Sequence, residues 1–174
     1  FVVDKSLTIR DNIAGTHGGA IYAFGNITIK NTNPLIDFKC VGNIAKDGSG
    51  GCIYTEDTND LDIYSSSAIL FDSNMASGDS DNDGGALHVR GDIDLVSDAA
   101  VSFYRNSATG SGGAINVVEK LEIRVDSGNA TFQGNSAGQN GGAIIITGGT
   151  DNSFAGNYRF MDNTANLHGG AVYV

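Results

Sequence analysis

Apolar residues along this chain alternate with polar ones in short runs and nowhere fall into a sustained helical period. Leu7/Ile9, Ile27/Ile29, Leu61/Ile63, Ile69/Phe71, Ile93/Leu95, Val101/Phe103 and Leu121/Ile123/Val125 each set apolar side chains two residues apart, and Gly, Asn and Asp clusters separate the runs. A period of two puts those side chains on one face of a strand, and turn-forming clusters end each strand after a few residues. The pattern predicts an all-β chain.

A second regularity lies above the first. A Gly-Gly-small-aliphatic tetrad begins at residues 18, 50, 84, 112, 141 and 169, a period of about 30 residues. A Phe-x-x-Asn-x-Ala segment precedes it, intact at Phe71/Asn74/Ala76, Phe103/Asn106/Ala108, Phe132/Asn135/Ala137 and Phe160/Asn163/Ala165. Ile9 replaces the Phe in the first copy, and the second, read as Phe38 to Asn43, carries two extra residues. Such self-similarity predicts a stacked array. Three strands fit each repeat, in the fourth unit roughly Val101 to Tyr104, Ala114 to Val118 and Leu121 to Val125. Each pairs most simply with its counterpart one repeat later, which is a parallel β-helix of about six rungs over 1–174, with rungs about 4.8 Å apart. Parallel crossovers favour the right-handed form. A β-propeller needs four strands per blade, and these repeats are too short for it.

The motif residues have structural work to do. The Asn falls where the chain should bend, as a residue that tolerates left-handed backbone angles, and stacked copies can share amide hydrogen bonds as a ladder. Paired glycines suit a sharp turn or a close backbone approach. Simple alternation points the fourth tetrad residue inward. The third (Ala or Cys) and the fifth (Tyr22, Tyr54, His88, Asn116, Ile145, Tyr173) then point outward, as a Gly/Ala strip beside exposed aromatics.

Composition adds limits. The chain has 25 Gly, one Pro and no Trp, with a net charge of −10, which disfavours nucleic acid and anionic membranes as partners. Asp79, Asp81 and Asp83 open like a Ca²⁺ loop, but Arg90 stands where the closing Glu belongs, so at most a low-affinity site is expected. The acidic insertion should bulge from the rod. Cys40 and Cys52 flank one irregular turn, and a disulfide or two free thiols are both open on spacing. His17, His88 and His168 fall too far apart for a metal site. Asp62, Asp94 and Glu122 align in one strand column, without the basic and aromatic neighbours expected of a glycan-cleaving cleft. No cofactor motif is present.

The recurring Phe-x-x-Asn and Gly-Gly-Ala-(Ile/Leu/Val) motifs, in order from Ile9 to Val172, resemble the polymorphic membrane proteins of chlamydiae. That resemblance implies an autotransporter: a secretion signal, a β-helical passenger and an outer-membrane barrel. No signal peptide, barrel-like tail or polar capping rung is legible, so an excised passenger fragment is expected, placed at the bacterial surface or outer membrane or secreted after processing. The resemblance further implies adhesion to a host-cell protein receptor through the motifs at Phe71, Asn74, Gly84, Gly85, Ala86, Phe103, Asn106, Gly112, Gly113, Ala114, Phe132, Asn135, Gly141, Gly142, Ala143, Phe160, Asn163, Gly169, Gly170 and Ala171. It also implies self-association. An adhesin is thus the leading expectation. A passenger spacer and a polysaccharide-acting β-helix enzyme are the alternatives.

Overall fold

The computed structural model describes residues 2–3, 6–79 and 81–174. Among them there are 24 strands and no helix, arranged as four six-stranded parallel sheets. The long sheet stacks Val2–Val3, Ile27–Asn31, Leu61–Ser65, Ile93–Ser97, Leu121–Val125 and Ser153–Ala155. The Phe sheet stacks Leu7–Arg10, Phe38–Val41, Ile69–Asp72, Val101–Tyr104, Ala130–Gln133 and Tyr158–Met161. A corner sheet of two-residue strands follows each Asn: Ile13–Ala14, Ile44–Ala45, Met75–Ala76, Ser107–Ala108, Ser136–Ala137 and Thr164–Ala165. The glycine sheet comprises Ile21–Ala23, Ile53–Thr55, Leu87–Val89, Ile115–Val117, Ile144–Ile146 and Val172–Tyr173.

Every strand pairs in parallel with its counterpart one repeat away, as in Phe71↔Phe103↔Phe132↔Phe160. The molecule is therefore the parallel β-solenoid that the repeat implies, with four strands per turn in place of three. A two-residue strand is too short to show alternation, so the corner strand left no trace in the apolar pattern. Six strands per sheet give five inter-strand steps, about five turns in place of six rungs.

One apolar core runs along the axis. Ile63, Leu95 and Ile123 of the long sheet, Phe71, Phe103 and Phe132 of the Phe sheet, and Ile53, Leu87, Ile115 and Ile144 of the glycine sheet are all fully buried. Each such side chain contributes about 1.5–3 kcal/mol on leaving water. The phenyl rings stack face to face, Phe71 on Phe103 at 4.8 Å and Phe103 on Phe132 at 4.9 Å.

The second rung departs from the expected alignment. Cys40 is the residue in register with Ile9 and Phe71, and Phe38 pairs with Leu7 and Ile69. The motif there is Cys40-x-x-Asn43 with no inserted residues. Cys52 fills the Ala column, its N–H bonded to the Ala86 carbonyl at 2.9 Å. A Cys–Cys pair thus stands where other rungs place Phe against Ala. Phe38 supplies the missing ring from two residues earlier, edge-on to Phe71 at 5.6 Å.

Three local details follow from backbone geometry. The left-handed residue is not the Asn but the one before it: Asp11, Gly42, Ser73, Arg105, Gly134 and Asp162 all have φ between 50° and 66°. The paired glycines serve different needs. Gly112 has φ +66, which a side chain rarely adopts, and a Cβ there would overlap the Ile115 carbonyl of its own turn, while a Cβ on Gly113 would overlap the Gly142 carbonyl one rung on. After each pair the alternation slips. The N–H groups of both Ala86 and Leu87 donate to the Ala114 carbonyl, at 2.9 Å each, a bulge-like step that turns two consecutive side chains inward. Cys52, Ala86, Ala114 and Ala143 are consequently buried in the core. The expected outward Gly/Ala strip does not exist.

Candidate functional site

The residues expected to adhere are mostly interior. Phe71, Phe103, Phe132, Asn74, Asn106, Asn135, Ala86, Ala114 and Ala143 are fully buried, and Gly84, Gly85, Gly112, Gly113, Gly141 and Gly142 are buried with them. In the last rung Phe160, Asn163, Gly169 and Ala171 are half-buried and Gly170 is exposed. The solenoid brings these residues together as columns along its axis and not as a surface patch.

The Asn column is a hydrogen-bonded ladder. Asn106 Oδ1 accepts from both the backbone N–H and the side-chain amide of Asn74, at 3.0 Å each. Its own Nδ2 donates to the Phe71 carbonyl at 3.1 Å and to Asn135 Oδ1 at 3.1 Å. The same pattern links Asn12, Asn43, Asn74, Asn106, Asn135 and Asn163. Buried amides so paired hold the corner open at low cost, since every donor finds an acceptor.

Two further ladders were not legible, because their side chains differ in kind. Before the first five Gly-Gly pairs, the side chain of one rung accepts the N–H of the next: Ser49 N donates to His17 Nδ1 (3.0 Å), Asp83 N to Ser49 Oγ (2.9 Å), Ser111 N to Asp83 Oδ1 (2.6 Å) and Asn140 N to Ser111 Oγ (3.3 Å). Burial pushes the Asp83 carboxyl above its ordinary range. Ahead of the long sheet, Asn26, Asp60 and Asp92 do the same for the N–H groups of Asp60, Asp92 and Lys120. The shared signal is an acceptor at a fixed offset, not a repeated residue.

These bonds bear on the calcium expectation. Asp83 turns inward to Ser111, and Asp81 Oδ1 accepts from Gln139 Nε2 two rungs away at 3.2 Å. Asp79 meets Thr109 through its backbone carbonyl, at 2.6 Å, while Ser80 lies outside the described residues. The three carboxylates do not converge, and among the described residues no group of three His, Cys, Asp or Glu is placed to hold a metal ion. The insertion is tied along the rod by these bonds and does not bulge freely. Cys40 and Cys52 form a disulfide, with Cα atoms 6.4 Å apart and both residues fully buried.

The outward face of the glycine sheet carries a stack of rings. Tyr22 lies on Tyr54 at 5.3 Å, Tyr54 on His88 at 5.0 Å, and His17 covers Tyr54 at 4.4 Å. Tyr54, Asn116 and Ile145 of this column are buried, whereas Tyr22 and Tyr173 are exposed. Burial drives the His88 pKa down to about 3, with help from His17 and Arg90. Phe24, 77% exposed, stands edge-on to Tyr22 at 5.0 Å. The Tyr22 hydroxyl donates to Glu56 at 2.6 Å, which pushes its pKa up to about 12. Glu56 also meets Arg90 at 3.6 Å. Phe24 was missed, although it follows Tyr22 by two residues and shares its outward parity.

On the long sheet Asp62, Asp94 and Glu122 are in register. One oxygen of each is engaged: Thr28 donates to Asp62 (3.3 Å), Tyr64 to Asp94 (2.9 Å), and Lys120 to Glu122 (2.8 Å), while Asp94 Oδ1 is buried without a hydrogen-bond partner. Desolvation raises the Asp62 carboxyl pKa. The neighbouring depression, lined by Lys30, Thr32, Tyr64, Ser66 and Asp98 among others, is shallow and open.

The Chlamydia polymorphic membrane protein repeat matches residues 6–23, 100–117 and 129–147. Over 106 residues, 59% of this chain, the sequence is 36% identical to the probable outer membrane protein pmp7 of Chlamydia pneumoniae, covering 11% of that protein. It is 33% identical to pmp6 of the same organism over 62% of this chain and 8% of the relative. It is 40% identical to the probable autotransporter YfaL of Escherichia coli K12 over 37% of this chain and 5% of the relative. The chain thus spans about a tenth or less of the length of these relatives. No solved structure matches it.

Proposed function

We propose, on the premise of the three segments that match the repeat of the chlamydial polymorphic membrane proteins, that the chain is a stretch of an autotransporter passenger that adheres to a protein receptor on host cells. It belongs at the bacterial surface or outer membrane, as the relatives' names imply. The observation that carries the reading is a repeat-matched solenoid whose chemistry is confined to its outer surface. Its acidic column borders a shallow, open depression and not a cleft, which speaks against glycan cleavage, where two carboxyl groups must flank the scissile bond.

The motif residues enter this reading as scaffold. Their burial also favours a second reading, a spacer that holds other passenger segments away from the cell. Binding of the labelled chain to cultured epithelial cells separates the two. Asn106→Val and Gly113→Val should weaken binding in step with melting temperature, because each distorts a rung. Loss of binding with an unchanged melt would make the motifs direct contacts. No saturable binding by the parent chain would favour the spacer. Self-association belongs to the same proposal, with light scattering against concentration as its measure.

A further inference from the structure

With the motifs interior, a receptor must read something else, and this inference rests on the adhesin reading above. We propose that the corner between the glycine sheet and the long sheet, centred on Phe24, is the receptor-docking face, and that its partner is a protein presenting an apolar pocket bordered by Lys or Arg.

The position is outward by construction. Phe24 is followed one rung later by Glu56, then by Arg90, and that column stays at least partly exposed along the rod. Phe24 is also held firmly. Its carbonyl accepts from Asn59 Nδ2 at 3.1 Å, its ring meets Tyr22, and Tyr22 is fixed by Tyr54 and Glu56. A rigid exposed aromatic on an ordered base loses little entropy when it docks, which is the usual make-up of a binding hot spot.

Charge selects the partner. Glu56 accepts from Tyr22, against which the ring lies, Asp57 acts on the same Tyr22, and Asp60 and Asp92 follow on the next two rungs through Asn26, with Arg90 paired to Glu56 and Lys120 next to Asp92. This local excess of acid agrees with the net charge of −10, so a basic rim on the receptor would both steer and register the encounter. A glycan fits less well. Sugar stacking needs a broad free ring face, and Tyr54 is sandwiched between Tyr22 and His88, which leaves only the end of the stack open. Phe24 projects as a knob, which calls for a pocket.

The test uses the fluorescently labelled chain in saturation binding to cultured epithelial cells. Phe24→Ala should lower affinity about 30-fold or more, as truncation of a hot-spot aromatic does, with an unchanged melting temperature. Neutralising Glu56, Asp57 and Asp60 together (E56Q, D57N, D60N) should weaken binding and flatten its salt dependence. Leu35→Ala, a 90% exposed residue elsewhere on the rod, should change nothing. Trypsin treatment of the cells should abolish binding, and enzymatic removal of surface glycans should not. If the parent chain binds while Phe24→Ala stays within twofold of it, the face is wrong and the adhesin reading stands. If glycan removal alone abolishes binding, the partner class is wrong. If the parent chain does not bind at all, both readings fall together.

Discussion

Replacing the two cysteines by alanine tests how the second rung is built. In register, Cys40 and Cys52 occupy the places of Phe and Ala in other rungs, so the cross-link does the work of a ring–methyl contact. The bond closes a loop with a sequence separation of 12, and constraining a loop of that size is worth about 3 kcal/mol. Cys40→Ala with Cys52→Ala should therefore lower stability by about 2–4 kcal/mol. The sharper test restores the ordinary pair with Cys40→Phe and Cys52→Ala. That variant should not recover, because the Phe38 ring already lies against Phe71 at 5.6 Å and a second ring in that layer overpacks the core by about 1–3 kcal/mol. Adding Phe38→Ile, the residue type that stands at Ile69 in the next rung, should relieve the clash and bring back most of the loss. Urea unfolding followed by circular dichroism gives the differences. Because repeat arrays can unfold in parts, hydrogen exchange at Ile53 and Ile69 should locate the damage in rungs two and three. The reasoning fails if the double alanine variant loses less than 1 kcal/mol, or if Cys40→Phe with Cys52→Ala matches the parent while Phe38 is intact.

Phe103→Ala should cost about 3–5 kcal/mol, and Phe160→Ala distinctly less, since Phe103 is stacked on both faces and Phe160 on one; equal losses in urea melts would contradict the stacked column. Asn106→Leu leaves the Asn74 backbone N–H and side-chain amide without their acceptor, a loss of about 2–6 kcal/mol at about 1–3 per buried group, and a near-neutral result would remove the ladder's energetic role. Gly113→Ala and Gly112→Ala should both disrupt the rung, because a Cβ on either glycine would overlap a backbone carbonyl and Gly112 also has a positive φ; a melting temperature for either variant equal to the parent's would contradict the close approach. His88 has a folded pKa of about 3, below its unfolded value near 6.5, so its contribution is fully present above pH 6.5 and is lost as pH falls from there toward 3. His88→Tyr should flatten stability in that window, and an unchanged pH profile would show that His88 does not govern it.

Much of this molecule was open to reading from the chain. A period near 30 residues and a period of two inside it leave little choice: strands too short to bury a face alone must stack on their own copies, and the parallel solenoid with its Phe and Asn columns follows. The Asn ladder was foreseeable because identical amides in register can always bond. The sequence also marked Phe38 and both cysteines as irregular, but not how. Tertiary structure decided the rest, wherever a side chain's direction depends on a backbone step with no sequence signature. A bulge after Gly113 turns Ala114 inward, and that one slip converts an expected adhesive strip into core. The two mixed ladders, through Ser49, Asp83 and Ser111 and through Asn26, Asp60 and Asp92, use different residues for one geometric task, so no repeat search over residue types finds them. Cys40 took the Phe position because a disulfide to Cys52 fills that layer with Phe38's help, a three-residue packing exchange that exists only once the rungs are stacked.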